Sequence, residues 1–213
     1  MSAVSRVVLR EQVKELILQR ILTGFYPPGE RLVETRIAQE LGTSQAPVRE
    51  ALRDLELLRF VESAAFKGAL VREISEDELL EIYPVRAALE ELAAREAAVR
   101  LDGDVRALEA ELAAMHTAAD EGDLHAQVVH DVNFHRLIVE AAGNRILQDV
   151  WGSLRIESRT IITAVRTGMD GHEIAERHRH ILEALRDRDP DRAGATVRRH
   201  LEEFADRLRT APA

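Results

Sequence analysis

Cysteine is absent from all 213 residues, which removes disulfides, zinc ribbons and thiol nucleophiles together. Aromatic residues make up only 4%, so a core must be assembled from Leu, Ile, Val and Ala, as in packed helices. No apolar run approaches the roughly 18 residues needed to span a bilayer, and the first ten residues lack the apolar stretch of a secretory signal. These absences predict a cytoplasmic chain with no membrane partner. Lysine is reduced to Lys14 and Lys67, the other basic side chains being arginine, and no histidine precedes His116. At 46% apolar the chain is too hydrophobic for disorder.

The net charge of −9 argues at first against nucleic acid. Its distribution does not. Residues 1–72 carry 11 basic and 9 acidic side chains, and the remainder 18 and 29, so a mildly basic front is joined to an acidic back. A local patch can bind phosphates whatever the overall charge.

Residues 7–22 place Leu9, Val13, Leu16, Ile17 and Ile21 on a helical period, followed by Gly24 and the turn Pro27-Pro28-Gly29. A second short helix is predicted over 34–41, with Ile37, Ala38 and Leu41 on one face. Ser44 is a suitable N-cap for a third helix, and Pro47 is tolerated in its first turn. That helix runs to 57 or 58, with Val48, Ala51, Leu52 and Leu55 inward and Arg49 and Arg53 outward. Two short extended pieces near 60–62 and 69–72, joined by a loop containing Lys67-Gly68, complete a winged helix-turn-helix.

This segment resembles the GntR superfamily of bacterial transcription regulators. The resemblance rests on Gly24, the run Pro28-Gly29-Glu30-Arg31-Leu32, Ala38 with Leu41-Gly42, and Pro47-Val48-Arg49-Glu50-Ala51-Leu52, continued by Gly68-Ala69 and Val71 in the wing. It implies that the third helix enters the major groove of an operator. Arg36 and Arg49 would then contact DNA, Ser44 would cap the recognition helix, and Lys67 and Gly68 would meet the backbone. Gln45 and Ala46 depart from the family's usual basic residue and threonine. Glutamine prefers the N6/N7 edge of adenine, so Gln45 is a DNA-binding candidate with a base preference of its own. Arg53 is either a phosphate neighbour or a solvated helix-face arginine.

Ser75-Glu76-Asp77-Glu78 is a capping box that opens a new helix, so the domains are predicted as 1–74 and 75–213. Six helices follow, over 79–101, 105–121, 124–142, 145–166, 172–188 and from about 190 to 208. Their short connections make an antiparallel bundle. The fold class is thus mostly α, a winged helix-turn-helix followed by a six-helix bundle.

Asp131 and His135 are four apart and share a helix face. His178 stands with Ile174, Ile181, Leu182 and Leu185 on an apolar stripe, and His200 lies between Val197 and Phe204. The turn at Asp189 is eleven residues from each, so antiparallel helices would bring the two imidazoles level. A carboxylate and imidazoles converging inside a bundle suit a first-row metal ion. Spacing does not choose between His130 and His135. Any one of these histidines on an apolar stripe is also readable as a hydrogen-bonded core residue.

Asp131-Val132-Asn133-Phe134-His135, Ala141-Ala142-Gly143-Asn144, Glu176-Arg177-His178 and His200-Leu201 resemble the FCD effector-binding domain, in its shorter six-helix form. The resemblance selects Asp131, His135, His178 and His200 as ligands of one divalent first-row metal per chain, zinc first, with nickel or manganese compatible. It also places Arg86 beside the pocket, to bind the carboxylate of a small organic acid unless it serves only as an ion pair with a neighbouring Glu. His116, His125 and His172 read as surface residues, and Asn133 faces elsewhere.

The reading that follows is a ligand-responsive repressor, a homodimer on a near-palindromic double-stranded operator. Two alternatives stand beside it: a metal-dependent enzyme using the Asp/His cluster, for which no general base can be named, and a DNA-binding dimer whose histidines only pack. The departure at Gln45 makes its own prediction. Gln45→Arg should move the base preference at one operator pair from adenine toward guanine, by about 1–3 kcal/mol of discrimination. Binding-site selection measures this, and an unchanged preference would remove Gln45 from the readout.

Overall fold

The computed structural model describes residues 3–64 and 68–211. The chain divides into two compact units, Met1–Ile74 and Ser75–Ala213.

In the first unit, α1 (Ala3–Leu22), α2 (Glu34–Glu40) and α3 (Gln45–Leu57) surround a core of Val13, Ile17, Ile37, Val48, Ala51 and Leu55. Strands β1 (Arg31–Leu32), β2 (Val61–Ala64) and β3 (Gly68–Val71) form an antiparallel sheet in the order β1-β3-β2. Leu32 pairs with Ala69, and Val61 with Val71. The winged-helix expectation included only the last two strands. β1 is two residues long, too short to display an alternation, and is held by Gly29 N–H donating to the Val71 carbonyl at 2.9 Å. Gly29 has φ +78, which the turn requires and which a side chain would resist. The turn is anchored by buried Tyr26, whose hydroxyl donates to Glu40 at 2.8 Å and accepts from Arg20 at 2.7 Å. Ser44 precedes α3 with extended backbone, but its side chain makes no capping hydrogen bond, contrary to expectation.

The second unit is helical throughout. Its elements are α4 (Glu76–Arg100), α5 (Arg106–Glu121), α6 (Leu124–Ala141), α7 (Arg145–Ser153), α8 (Ile156–Thr167), α9 (Gly171–Arg177), α10 (Arg179–Arg186) and α11 (Pro190–Thr210). Side-chain caps start five of the eight: Ser75 accepts from Glu78 N, Asp123 from Ala126 N, Asn144 from Leu147 N, Asp170 from His172 N, and Asp189 from Arg192 N. Each such cap satisfies a helix N–H that the ladder leaves open.

Six helices were expected and eight segments are found, because two of the predicted helices are broken. Between α7 and α8, Arg155 adopts φ 48, ψ 58, which turns the chain so that Ile156, Ile161 and Ala164 are buried. A left-handed arginine costs about 1–2 kcal/mol and has no sequence signature. Between α9 and α10 the break falls on His178. Its N–H bonds the Ala175 carbonyl at 3.0 Å, while its own imidazole Nδ1 takes the Ile174 carbonyl at 2.9 Å. A side chain has thus replaced a rung of the helix ladder. Among the described residues no helix is long and apolar enough to cross a membrane.

Candidate functional site

The second unit brings three imidazoles together. His135 from α6, His178 at the α9–α10 break and His200 from α11 each offer a nitrogen within 4.8 Å of the others, and all three are buried. The ring centroids of His178 and His200 are 4.5 Å apart. Asp131, one turn before His135 on α6, places Oδ1 3.1 Å from His178 Nε2. Phe134 packs edge-on against both His135 and His178.

Imidazole nitrogens of this cluster lack hydrogen-bond partners of good geometry: both nitrogens of His135, His178 Nε2 and His200 Nδ1 are buried and unsatisfied. Such groups cost about 1–3 kcal/mol each, so they call for a partner. The Ile174 carbonyl can only accept, so His178 Nδ1 carries an N–H there and Nε2 is the nitrogen that meets Asp131. Two ligand atoms of one ion, each about 2.1 Å from it, would stand about 3 Å apart, close to the Asp131–His178 separation. Burial and the neighbouring His178 and His135 hold the His200 pKa well below the usual imidazole value, keeping it neutral. Burial alone would raise the Asp131 pKa, but His178, His135 and Arg86 outweigh it and lower it. Neutral imidazole and ionised carboxylate are the protonation states that metal binding needs.

Arg86 and Glu90, on α4, adjoin the cluster, and both are buried. Arg86 Nε donates to Glu90 Oε1 at 2.9 Å and its Nη1 to Thr160 Oγ1 at 3.3 Å, while Nη2 is buried without a partner. The ion pair with a neighbouring Glu therefore exists, and it leaves one end of the guanidinium unused. Glu90 also accepts from Trp151 Nε1 at 2.8 Å and brings Oε2 to 2.6 Å from His135 Nδ1. Burial would raise the Glu90 pKa, but Arg86 and His135 overcome this and lower it to about 2. The sequence offered a neighbouring Glu only as an ion-pair partner of Arg86, and the contact of Glu90 with His135 was not anticipated. Its only signal was a position one turn after Arg86. A cavity of about 10 Å³ lies among Tyr83, Arg86, Asp131, His135, Thr160 and His200. His200 also floors an open cleft of about 690 Å³ between α9–α10 and α11.

The other histidines lie elsewhere. His130 Nδ1 meets Glu111 on α5 at 2.7 Å, away from the cluster. His172 stacks on His116 and is half exposed, and His180 is exposed.

In the first unit, Ser44, Gln45 and Gly68 are exposed. Lys67 lies outside the described residues. Arg36 pairs with Glu30 at 2.5 Å and Glu40 at 3.5 Å. Arg49 reaches Glu34 through Nε at 3.0 Å and Nη2 at 2.8 Å, leaving its Nη1 side open. Arg53 meets Glu50 at 3.0 Å. A groove of about 420 Å³ between α3 and the sheet is lined by Arg31, Arg49, Arg53 and Gly68 among others.

Comparison with known proteins fits this arrangement. The model of the bacterial regulatory proteins of the gntR family matches residues 9–71, and that of the FCD domain matches residues 81–203. The chain is 36% identical, over 94% of its length and 88% of the relative's, to a Paenarthrobacter nicotinovorans protein named as a probable D-xylose utilization operon transcriptional repressor. It is 27% identical to the gluconate operon transcriptional repressor of Bacillus subtilis (strain 168), over 89% of this chain and 80% of that one. A GntR regulator from Rhodococcus sp. RHA1 shares the fold, with a TM-score of 0.70 at 22% identity over 96% of this chain and 99% of that chain. The chain belongs to the GntR family of bacterial regulatory proteins and carries an FCD domain. It is a DNA-binding transcription regulator and not an enzyme.

The Arg86–Glu90 pair yields a stability prediction. Arg86→Leu leaves a buried carboxylate without its guanidinium and should destabilise the chain by about 3–5 kcal/mol in urea unfolding. Glu90 has a folded pKa below its ordinary 4.5, so its stabilisation is present above that pH and is lost as pH falls toward about 2. The difference between Arg86→Leu and the parent should shrink over that window. A constant difference would mean that Glu90 is not the group left unpaired.

Proposed function

We propose that this regulator is a repressor whose affinity for a near-palindromic operator is set by a small organic acid bound beside a metal ion. Asp131, His135, His178 and His200 hold one divalent first-row ion, zinc foremost, with nickel and manganese suited to the same donors. The observation that carries this reading is the convergence of three buried imidazoles beside Asp131, each with at least one nitrogen that lacks a hydrogen-bond partner. When bound, the ion offers open coordination positions to a carboxylate. Arg86 Nη2, buried and unpaired, is the protein's own donor for the same group.

The cavity among these residues, about 10 Å³, is near the lower limit for a single water. An organic acid must therefore displace a wall. Thr160 lies on α8, which is entered through left-handed Arg155 and left through left-handed Gly168. Displacement of that helix would give the ligand different affinities for two arrangements of the domain, without which it would shift no equilibrium.

In the first unit, Arg36, Ser44, Gln45, Arg49, Lys67 and Gly68 form the DNA-binding set. Two-fold symmetry of the operator implies a homodimer. The exposed face of α4 supports one: Val85, Leu92 and Val99 stand seven residues apart on it. Antiparallel packing of two copies centred on Leu92 would set each Val85 opposite the other copy's Val99, an isologous apolar seam.

Two measurements test this function. Elemental analysis of protein purified without chelators should find about one first-row metal per chain, absent from His178→Ala, and small carboxylates should raise the melting temperature of the parent but not of Arg86→Met. No metal in the parent would leave the histidines as packing residues. Leu92→Glu should convert the dimer to a monomer in light scattering and weaken operator binding; a dimer unchanged in mass would place the interface elsewhere.

A further inference from the structure

Glu90 gathers groups from three helices around one buried carboxylate: Arg86 Nε from α4 and Trp151 Nε1 from α7 donate to it, and His135 Nδ1 from α6 stands 2.6 Å away. Oε1 serves both Arg86 and Trp151. Oε2 has only His135 beside it, at 2.6 Å, off the line of an ideal hydrogen bond. Balancing the arginine requires the charge of Glu90 but not this second contact. The contact can do something else: a carboxylate at that distance favours the N–H on Nδ1, which would leave Nε2, itself without a hydrogen-bond partner, for the lone pair. His178 is arranged similarly by a different acceptor, with Nδ1 on the Ile174 carbonyl and Nε2 turned toward Asp131. Two imidazoles from separate elements thus each have Nδ1 beside a protein oxygen outside the cluster.

From this geometry we propose that Glu90 is a positioning residue for the metal centre. It fixes the tautomer and ring orientation of His135, and through the same carboxylate it ties that ligand to Arg86 and to Trp151. The inference rests on the metal reading above. A carboxylate behind a ligating histidine raises the ligand's basicity and holds its plane, and losing such a partner typically weakens metal binding about 10–100-fold. Because Arg86 shares the carboxylate, a change at His135 on metal binding also reaches the guanidinium that would receive the organic acid. Trp151, the only tryptophan in the chain, is hydrogen-bonded to the same group and reports on it.

The test uses the full metal-free chain titrated with zinc, its affinity measured by competition with a chromogenic chelator and its tryptophan emission followed in parallel. Wild type should bind zinc with a change in Trp151 emission. Glu90→Gln should bind about 10–100-fold more weakly, with that emission change lost at saturating zinc. Trp151→Phe disturbs the same buried cluster but spares the His135 contact, and should keep its zinc affinity within about threefold of the parent. Equal weakening by Glu90→Gln and Trp151→Phe would reduce Glu90 to a packing role and overturn the proposal. So would a Glu90→Gln variant that binds zinc as tightly as wild type. Should Glu90→Gln not fold, Glu90→Asp, which keeps the charge that Arg86 needs but withdraws it from His135, must show the same direction of loss. A wild-type chain that takes up no zinc overturns the metal reading itself, and the inference with it, a result that the wild-type arm alone reveals.

Discussion

Burying Arg86, Glu90, Asp131 and three imidazoles at one level of a helical bundle is possible only if each charge is matched by a neighbour, because an isolated buried ion costs several kcal/mol even after relaxation. The match is made on α4, where Arg86 and Glu90 are one turn apart, and is extended by Trp151, Thr160 and His135. The walls are correspondingly thin. Ala87, Ala93, Ala94, Ala97 and Ala98 cover the buried face of α4, and α11 comes so close that a Cβ on Gly194 would stand 2.8 Å from Arg95 Cγ. Small side chains leave room for helices to approach, and their approach sets His200 on α11 beside His135 on α6. The scarcity of aromatic residues and the density of the polar centre are two sides of one packing solution.

Periodicity and caps were enough to read the outline of both units from the chain alone. Leu, Val and Ile at three- and four-residue spacing located α1, α3, α5 and α11 to within a few residues. The capping box at Ser75 marked a start that the structure shows with its hydrogen bond. What escaped were features that depend on partners distant in sequence or on single backbone angles. Arg155 turns left-handed with neither glycine nor proline to announce it. His178 breaks its helix because its side chain competes for the Ile174 carbonyl, and a hydrophobic pattern does not record such competition. β1 acquires strand character only through its pairing with β3.

The candidate site divides in the same way. Asp131 and His135 share a face by the geometry of one helix, and the eleven-residue offsets about Asp189 levelled His178 with His200. Separating His135 from His130 needed either a family resemblance or coordinates, since both histidines sit on partly apolar stripes; the coordinates put His130 on Glu111 instead. The role of Glu90 beyond a partner for Arg86 was hidden for a plainer reason. A glutamate in a helix of alternating acids and alanines looks solvated until the tertiary fold places Trp151 and His135 against it.

The acid partners of the arginines on the first unit bear on how its DNA binding responds to ions. Arg36 lies on Glu30 and Arg49 on Glu34. An arginine that leaves its carboxylate for a phosphate releases a condensed cation from the duplex, the usual source of salt dependence. The abandoned carboxylate, however, gathers a cation from solution in its place. Each such exchange returns part of what the duplex gives up, so the slope of log affinity against log salt understates the number of arginines touching the backbone. If Arg36 and Arg49 exchange these carboxylates for phosphates, a count of phosphate contacts from that slope would fall short of the number made.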